Sequence, residues 1–379
     1  MKLGSLFDGS GGFPLAGALN GFTPVWASEI EPYPLRVTAA RFPNMKQLGD
    51  VTKIDGAAID PVDVITFGSP CQDLSVAGKQ TGIHAGKRSS LFFEAVRIIR
   101  EMRGITDGKY PRFAVWENVP GAFSSNKGED FRAVLQALCE VGGEAVPVPE
   151  PPKGKWAKAG CIVGDGYSIA WRVYDAQYWG VPQRRKRIYL VADFGSERAG
   201  EILFERESMR GDSAQGGEAR EGAAGDAAGG TGRIRVYDCR GNGDGCTVPN
   251  LTGDHENRVT DYTSVCVGNG QMHQTELCDR TGALNCMHDQ QAIIHNAKPP
   301  RRYIVRRLTP LECCRLQGFP DWWEDGANGS DSARYKMWGN GIALPCEADV
   351  MRRIAEECKI CTPLHNAALD LHNKPVVTL

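Results

Sequence analysis

No stretch of this sequence approaches the ~18 consecutive apolar residues that a membrane-crossing helix needs. The amino terminus, Met1-Lys2-Leu3-Gly4-Ser5-Leu6-Phe7, lacks the layout of a signal peptide, so a cytoplasmic protein with no membrane partner is expected. Regular cysteine spacing is missing too. The 13 cysteines in 379 residues form no framework typical of a small secreted domain and read as reduced thiols. A strong charge of either sign is also absent: the net charge of −2 argues weakly against a wholesale polyanion binder, and nucleic-acid contact would have to come from local patches. Two such patches exist, Arg184-Arg185-Lys186-Arg187 and Arg301-Arg302 with Arg306-Arg307, while residues 197–226 hold eight acids against four arginines. With 41% hydrophobic and 24% charged residues the chain is globular, and at roughly 150 residues per domain it should hold about two.

What is present begins with strand ends. Val62-Asp63-Val64-Ile65-Thr66-Phe67 has the length and β-branched content of a buried strand, and Gly68-Ser69-Pro70 cannot continue it. The chain therefore turns just where Cys71 emerges. In an open α/β sheet, ligands collect at the carboxyl ends of strands, so Cys71 stands at the functional rim on a backbone that Pro70 stiffens. A small buried hydrophobe is the other reading of a free cysteine.

The same pattern recurs along the first half. Residues 2–7 read as a strand and Asp8-Gly9-Ser10-Gly11-Gly12 as a glycine-rich turn into a helix ending near Gly21, a geometry that brings backbone close to a ligand or serves packing alone. Val25–Glu29 reads as a strand ending in an acid, placed to bind ribose hydroxyls or to start the helix Pro32–Arg41. Gly49-Asp50-Val51 offers another acid after a short third strand, and Gly56–Ile59 begins to re-enter helix. Ser75–Ser90 is a glycine-punctuated loop, a candidate lid or a plain connection, before the helix Leu91–Ile99. Phe113–Trp116 is the next strand and ends in Glu117-Asn118-Val119-Pro120. A helix from about Glu129 to Val141 and strands at about 168–176 and 187–193 follow. Between those strands, alternation on an extended segment would point Gln183, Arg185 and Arg187 to one side, unless the stretch is a solvated basic turn.

Gly211–Gly232 holds eight glycines and six alanines in 22 residues with no large apolar side chain, and reads as a flexible linker or disordered insertion spanning 196–232. Residues 233–301 carry short β-like runs between turns and read as a small, loop-rich recognition domain. Its five cysteines, Cys239, Cys246, Cys266, Cys278 and Cys286, contain no Cys-x₂-Cys pair. The tail at 359–379 completes one pair, Cys358 with Cys361, near His365 and His372; no metal site is assigned. Thr309, Pro310 and Glu312 form a helix start with a capping box, and Tyr335–Pro345 reads as a glycine turn into a last helix ending near Glu357.

Taken in order, these motifs resemble the bacterial and phage DNA (cytosine-5) methyltransferases. Leu6–Gly12, Glu29, Asp50, Pro70-Cys71-Gln72, Glu117-Asn118-Val119, Gln183–Arg187, Arg307–Cys313 with Gln317–Pro320, and Gly339-Asn340-Gly341 carry the resemblance, over residues 1–195 and 302–358. It implies an α/β fold, a Rossmann-like S-adenosylmethionine-dependent methyltransferase sheet, with the smaller target-recognition domain at 233–301. It also implies that Cys71 is the nucleophile, that Glu117 holds and protonates the base, and that Arg185 and Arg187 support the ring carbonyl. S-adenosylmethionine, leaving as S-adenosylhomocysteine, would be held by Phe7, Gly9, Ser10, Gly11, Gly12, Glu29, Ile30, Asp50, Val51, Pro70, Leu91, Asn340 and Gly341. Gln72, Ser75, Lys79 and Gln183 would meet DNA. The expected substrate is a flipped-out cytosine in double-stranded DNA, the expected working form a monomer, and a cognate restriction endonuclease is left open. A transfer-RNA cytosine methylase would share the Pro-Cys motif; a catalytically dead DNA-binding regulator would not need Cys71, Glu117 and Arg185 intact.

Overall fold

The computed structural model describes residues 1–70, 91–143, 147–204, 237–238, 263–264, 292–296 and 303–359. The chain divides into two units: Met1–Tyr174, Arg187–Arg206 and Ala348–Leu379 form the first, Asp175–Lys186 and Glu207–Glu347 the second. Residues 175–186 and 308–347, joined to the catalytic portion by the motif order, thus pack with the second unit.

The first unit is built on one sheet. Its strands are β1 (Lys2–Leu6), β2 (Thr23–Ser28), β3 (Lys46–Gln47), β4 (Val64–Phe67), β5 (Phe113–Asn118), β6 (Ala159–Val163), β7 (Ser168–Asp175) and β8 (Lys186–Asp193). They lie in the order β3-β2-β1-β4-β5-β8-β7-β6. The first five are parallel, and β8 joins β5 antiparallel. Every residue of β4 and β5 is buried, as a parallel sheet covered on both faces requires. Helices α1 (Gly12–Leu19), α2 (Pro32–Arg41), α3 (Leu91–Ile105), α4 (Glu129–Gly142) and α5 (Ala199–Leu203) accompany these strands.

Strand order decides where a ligand can sit. From β1 the chain winds outward through β2 to β3, then returns to place β4 on the other side of β1, and such a switch opens a crevice at the strands' carboxyl ends. The register sharpens this. Leu6 pairs with both Ser28 and Phe67, and Phe67 pairs with Trp116, so Phe7, Glu29, Gly68 and Glu117 form the next row across four neighbouring strands.

Below that row the core is aromatic. Phe92 and Trp116 pack at 5.7 Å, Trp116 stacks on Phe131 at 6.1 Å, and Phe131 meets Trp156 and Trp171 edge-on at 5.7 and 5.6 Å. Such pairs contribute about 0.5–1.5 kcal/mol each beyond their buried area. Gly4 is glycine for a steric reason: a Cβ there would lie 2.2 Å from the Trp26 ring.

Two local expectations are corrected. Gly56–Ile59 is not helical; the Gly56 backbone lies against α3, where a Cβ would come within 2.5 Å of the Ile98 carbonyl, and its N–H donates to Glu101 at 2.7 Å. Residues 56–58 form a hydrogen-bonded turn, the Ala58 N–H donating to the Asp55 carbonyl at 3.0 Å, and the 3₁₀ turn Val51–Lys53 precedes it. Residues 335–340 are not a turn but the end of a helix.

That helix belongs to the second unit, which holds α6 (Pro310–Leu316), α7 (Asp331–Asn340) and the start of α8 (Leu344–Glu357). The capping box at α6 is present on both sides: Thr309 accepts from the Glu312 N–H at 3.2 Å and donates its own to the Glu312 carboxylate at 2.6 Å. Phe319 packs on Trp323 and Trp338 at 5.4 and 5.0 Å. Backbone pairs β9 (Tyr237–Asp238) with β10 (Thr263–Ser264) and β11 (Ala292–Asn296) with β12 (Tyr303–Arg307), both antiparallel. In the first unit, the far half of α8 is tied to β7, where the Tyr174 hydroxyl donates to Asp349 at 3.2 Å.

Candidate active site

The first groups of site residues follow strand ends. After β1, Phe7 adopts φ +56°, a left-handed conformation uncommon outside glycine, and Gly9 and Gly11 follow at +56° and +79°. The resulting turn is closed by the Gly11 N–H donating to the Asp8 carbonyl at 3.1 Å and leads into α1. Glu29, at the end of β2, holds this turn from the side. Its carboxylate accepts from the Gly9 N–H at 2.7 Å and from the Ile30 and Glu31 N–H groups at 2.7 and 2.8 Å. Of the two functions read from the sequence, the structure displays the local one: the carboxylate organises the start of α2 and holds the glycine turn. Ile30 beside it is 67% exposed, an isolated apolar surface at the rim.

The next acid is anchored to the same edge. Ser28 donates to the Gly49 carbonyl at 2.6 Å, and Asp50 accepts from the Thr52 N–H and hydroxyl at 3.0 and 2.8 Å. Those bonds, the backbone one first, hold the Asp50 carboxyl below the usual range. Val51 is buried in the core cluster rather than open at the rim. The segment is gripped from α3: Arg97 donates to the Ile54 and Val51 carbonyls at 2.8 and 3.3 Å while paired with Glu94 and Glu101 at 2.8 Å each.

At the end of β4, Ser69 is clamped by β5. Its hydroxyl accepts from the Trp116 indole N–H at 3.1 Å and its carbonyl from the Asn118 amide at 3.0 Å. Pro70 follows, exposed. Cys71, Gln72, Ser75 and Lys79 lie outside the described residues, as does the loop to Ser90; Leu91, half-buried, opens α3.

Glu117 stands one strand over. Opposite it in the register is Tyr189, so Arg187, two residues earlier on β8, is its diagonal neighbour on the same face. The Arg187 Nε lies 2.9 Å from the Glu117 Oε1, with both side chains about nine-tenths buried. Oε1 receives no well-aligned hydrogen bond, so the contact is one of charge, not direction. A Cβ on Gly68 would lie 3.4 Å from the Glu117 Oε2, which places that carboxylate directly beside the corner before Cys71.

In the second unit, Gln183 and Arg185 occupy a tight turn. The Gln183 N–H donates to the Val181 carbonyl and the Arg185 N–H to the Gln183 carbonyl, at 2.8 and 3.0 Å. The expected extended run of alternating residues is thus absent, and only Arg187 lies on a strand clear of the turn. Arg185 is buried and donates to the Gly341 carbonyl at 2.6 Å, joining motifs 156 residues apart. Asn340 ends α7 and is exposed, and Gly341 is buried after it.

The family model for C-5 cytosine-specific DNA methylases matches residues 1–145, 163–215 and 234–359. The chain belongs to this family. Among relatives of the methylase, a type II methyltransferase from Lactococcus lactis subsp. cremoris, M1.ScrFI, is 27% identical over 94% of the chain and 79% of its own length. A protein of Escherichia phage P1 named as a DNA N-6-adenine-methyltransferase is also 27% identical, over 93% of the chain, which spans 60% of that relative's length. The S. pombe Dnmt2 methyltransferase structure shares the fold, with a TM-score of 0.55 at 18% identity, over 95% of the chain and all of that one.

Two features of the methylase escape a reading of its motifs. The Ser69 clamp depends on strand pairing, although Trp116 and Asn118 flank a residue already singled out. Asp8 sat inside the glycine turn unremarked: its carboxyl is buried, accepts from the Ser5 hydroxyl at 2.7 Å, and leaves Oδ2 without a partner. Burial raises it from 3.8 to about 7, with the Ser5 bond opposing and Glu29 adding. Among the described residues no cluster of metal-ligating side chains occurs, and no helix is long and apolar enough to cross a membrane.

Proposed function

We propose that the methylase acts on a cytosine flipped out of duplex DNA, through a transient bond to Cys71. The observation that carries this reading is the single register row of Phe7, Glu29, Gly68 and Glu117, which lines up a turn that approaches a ligand, an anchored acid, the corner before a cysteine, and a buried carboxylate. Carbon 5 of cytosine is too weak a nucleophile by itself. Addition of the Cys71 thiolate to carbon 6 shifts the electron pair of the 5,6 double bond to carbon 5, and protonation of nitrogen 3 by Glu117 keeps charge from building on the ring. Loss of the carbon-5 proton after methylation returns the pair and expels the thiolate.

S-adenosylmethionine supplies the methyl group and leaves as S-adenosylhomocysteine. The residues fit that cofactor: the left-handed turn at Phe7–Gly11 brings backbone to the rim where an amino-acid end would lie, Glu29 keeps acceptor capacity for a ribose hydroxyl, and Ile30 offers an apolar face to adenine. Asp50, Pro70 and Leu91 border the same rim. Arg187 holds Glu117 in place, and Arg185 is assigned to the ring carbonyl. Flipping costs a few kcal/mol; residues 75–90 and 233–301, with Gln72 and Gln183, are assigned the closure and base reading that offset it.

The test is nucleoside analysis of DNA from a host expressing the chain, followed by trapping on a duplex with a 5-fluorocytosine target. 5-Methylcytosine and a covalent adduct lost in Cys71→Ala are expected. N6-methyladenine in place of 5-methylcytosine, or an adduct that survives in Cys71→Ala, would overturn the proposal.

A further inference from the structure

The glycine turn carries a second carboxyl that the proposed reaction does not use. Asp8 lies between the strained Phe7 and Gly9, with its backbone N–H donating to the Ser28 carbonyl at 3.0 Å and its carbonyl capping the turn through Gly11. The side chain is 96% buried, its Oδ1 satisfied by Ser5 and its Oδ2 by nothing. Its titratable neighbour among the described residues is Glu29, a second acid, whose charge disfavours ionisation of Asp8; no lysine or arginine acts on it. An ionised carboxylate in such surroundings is costly unless a cation completes the site. The methyl donor is such a cation, carrying a sulfonium that the demethylated product has lost.

We propose that Asp8 is a charge-selecting residue of the donor site: its ionised carboxylate favours the sulfonium donor over the neutral thioether product, and its protonated form does not. The inference rests on the reading of the Phe7–Gly12 turn as the donor site. Burial raises the carboxyl to about 7, so the selection follows pH there, and the ionised form opposes the product inhibition that a neutral turn would allow. At an effective dielectric of about 20, a unit charge within about 12 Å alters the affinity of a cation by about tenfold.

The measurement is calorimetric binding of S-adenosylmethionine and of S-adenosylhomocysteine to the full chain between pH 6 and 8. Because both ligands share the amino-acid end, their ratio isolates the sulfur's charge. The ratio should shift about tenfold toward the donor as pH rises through 7. In Asp8→Asn it should stay flat at its low-pH value, and in Ser5→Ala, where a hydrogen bond to the ionised form is lost, the midpoint should move upward. A pH-independent ratio in the native protein overturns the inference without needing any variant to fold. Failure of both ligands to bind at any pH overturns the donor-site reading itself.

Discussion

Removing the guanidinium of Arg187 should damage folding well beyond the loss of an exposed ion pair. The Glu117 and Arg187 side chains are 11% and 8% exposed, so Arg187→Met leaves a carboxylate nine-tenths buried with its nearest opposite charge, 2.9 Å away, deleted. Breaking a buried pair from one side costs about 3–5 kcal/mol, whereas replacing both partners by neutral groups of similar size is often close to neutral. For a unit of this size about 1 kcal/mol moves the melting point by about 2–4 °C, which places the Arg187→Met loss near 10 °C. Glu117→Gln alone removes the carboxylate charge 2.9 Å from Arg187 and should also lose stability, while the double variant should regain most of the Arg187→Met loss. Urea denaturation of the four proteins gives the coupling energy directly. A coupling under about 0.5 kcal/mol, or an Arg187→Met variant within about 1 kcal/mol of the native protein, would refute the claim that the pair holds Glu117 in position.

The Asp8 carboxyl also leaves a signature in stability. Its folded value, about 7 against 3.8, means that the native state keeps a proton that the unfolded chain has released, so stability falls as pH rises from about 4 to about 7 and levels off above. The difference amounts to at most about 4 kcal/mol; Asp8→Asn should equal the native protein near pH 4 and exceed it at pH 8, and a constant difference across that range would remove the assignment. Arg97→Ala should loosen the segment carrying Asp50 by releasing the Val51 and Ile54 carbonyls, weakening S-adenosylhomocysteine binding several-fold at unchanged helix content. Arg97→Lys should restore little, because an ammonium cannot span both carbonyls as a guanidinium fork does; binding of either variant at native strength would show that the grip is irrelevant to the site.

Local punctuation was decisive for what the sequence could disclose. An apolar run closed by Gly68-Ser69-Pro70, a strand followed by Asp8-Gly9, and a Thr-Pro-x-Glu helix start are all governed by φ restrictions and side-chain bonds within a few residues, so the strand ends, the α6 capping box and the order of motifs were legible without coordinates. Elements whose stability comes from elsewhere were not. The helix Asp331–Asn340 contains Gly339, a poor helix former, and is held by burial of Met337 and Trp338; β6 reads Ala-Gly-Cys-Ile-Val with no polar–apolar alternation, although as an edge strand it buries Gly160 and Ile162 only partly and exposes the residues between.

The same division runs through the site. Sequence alone named Glu117 and Arg187 as separate candidates, since each follows from its own motif. That they meet, that Gly68 lies beside Glu117, and that Asp8 is buried beside a second acid depend on which strands are neighbours and in what register. Strand pairing sums many weak contacts between distant segments, and a carboxyl's charge state follows from the water those contacts exclude; neither quantity exists until the chain has folded.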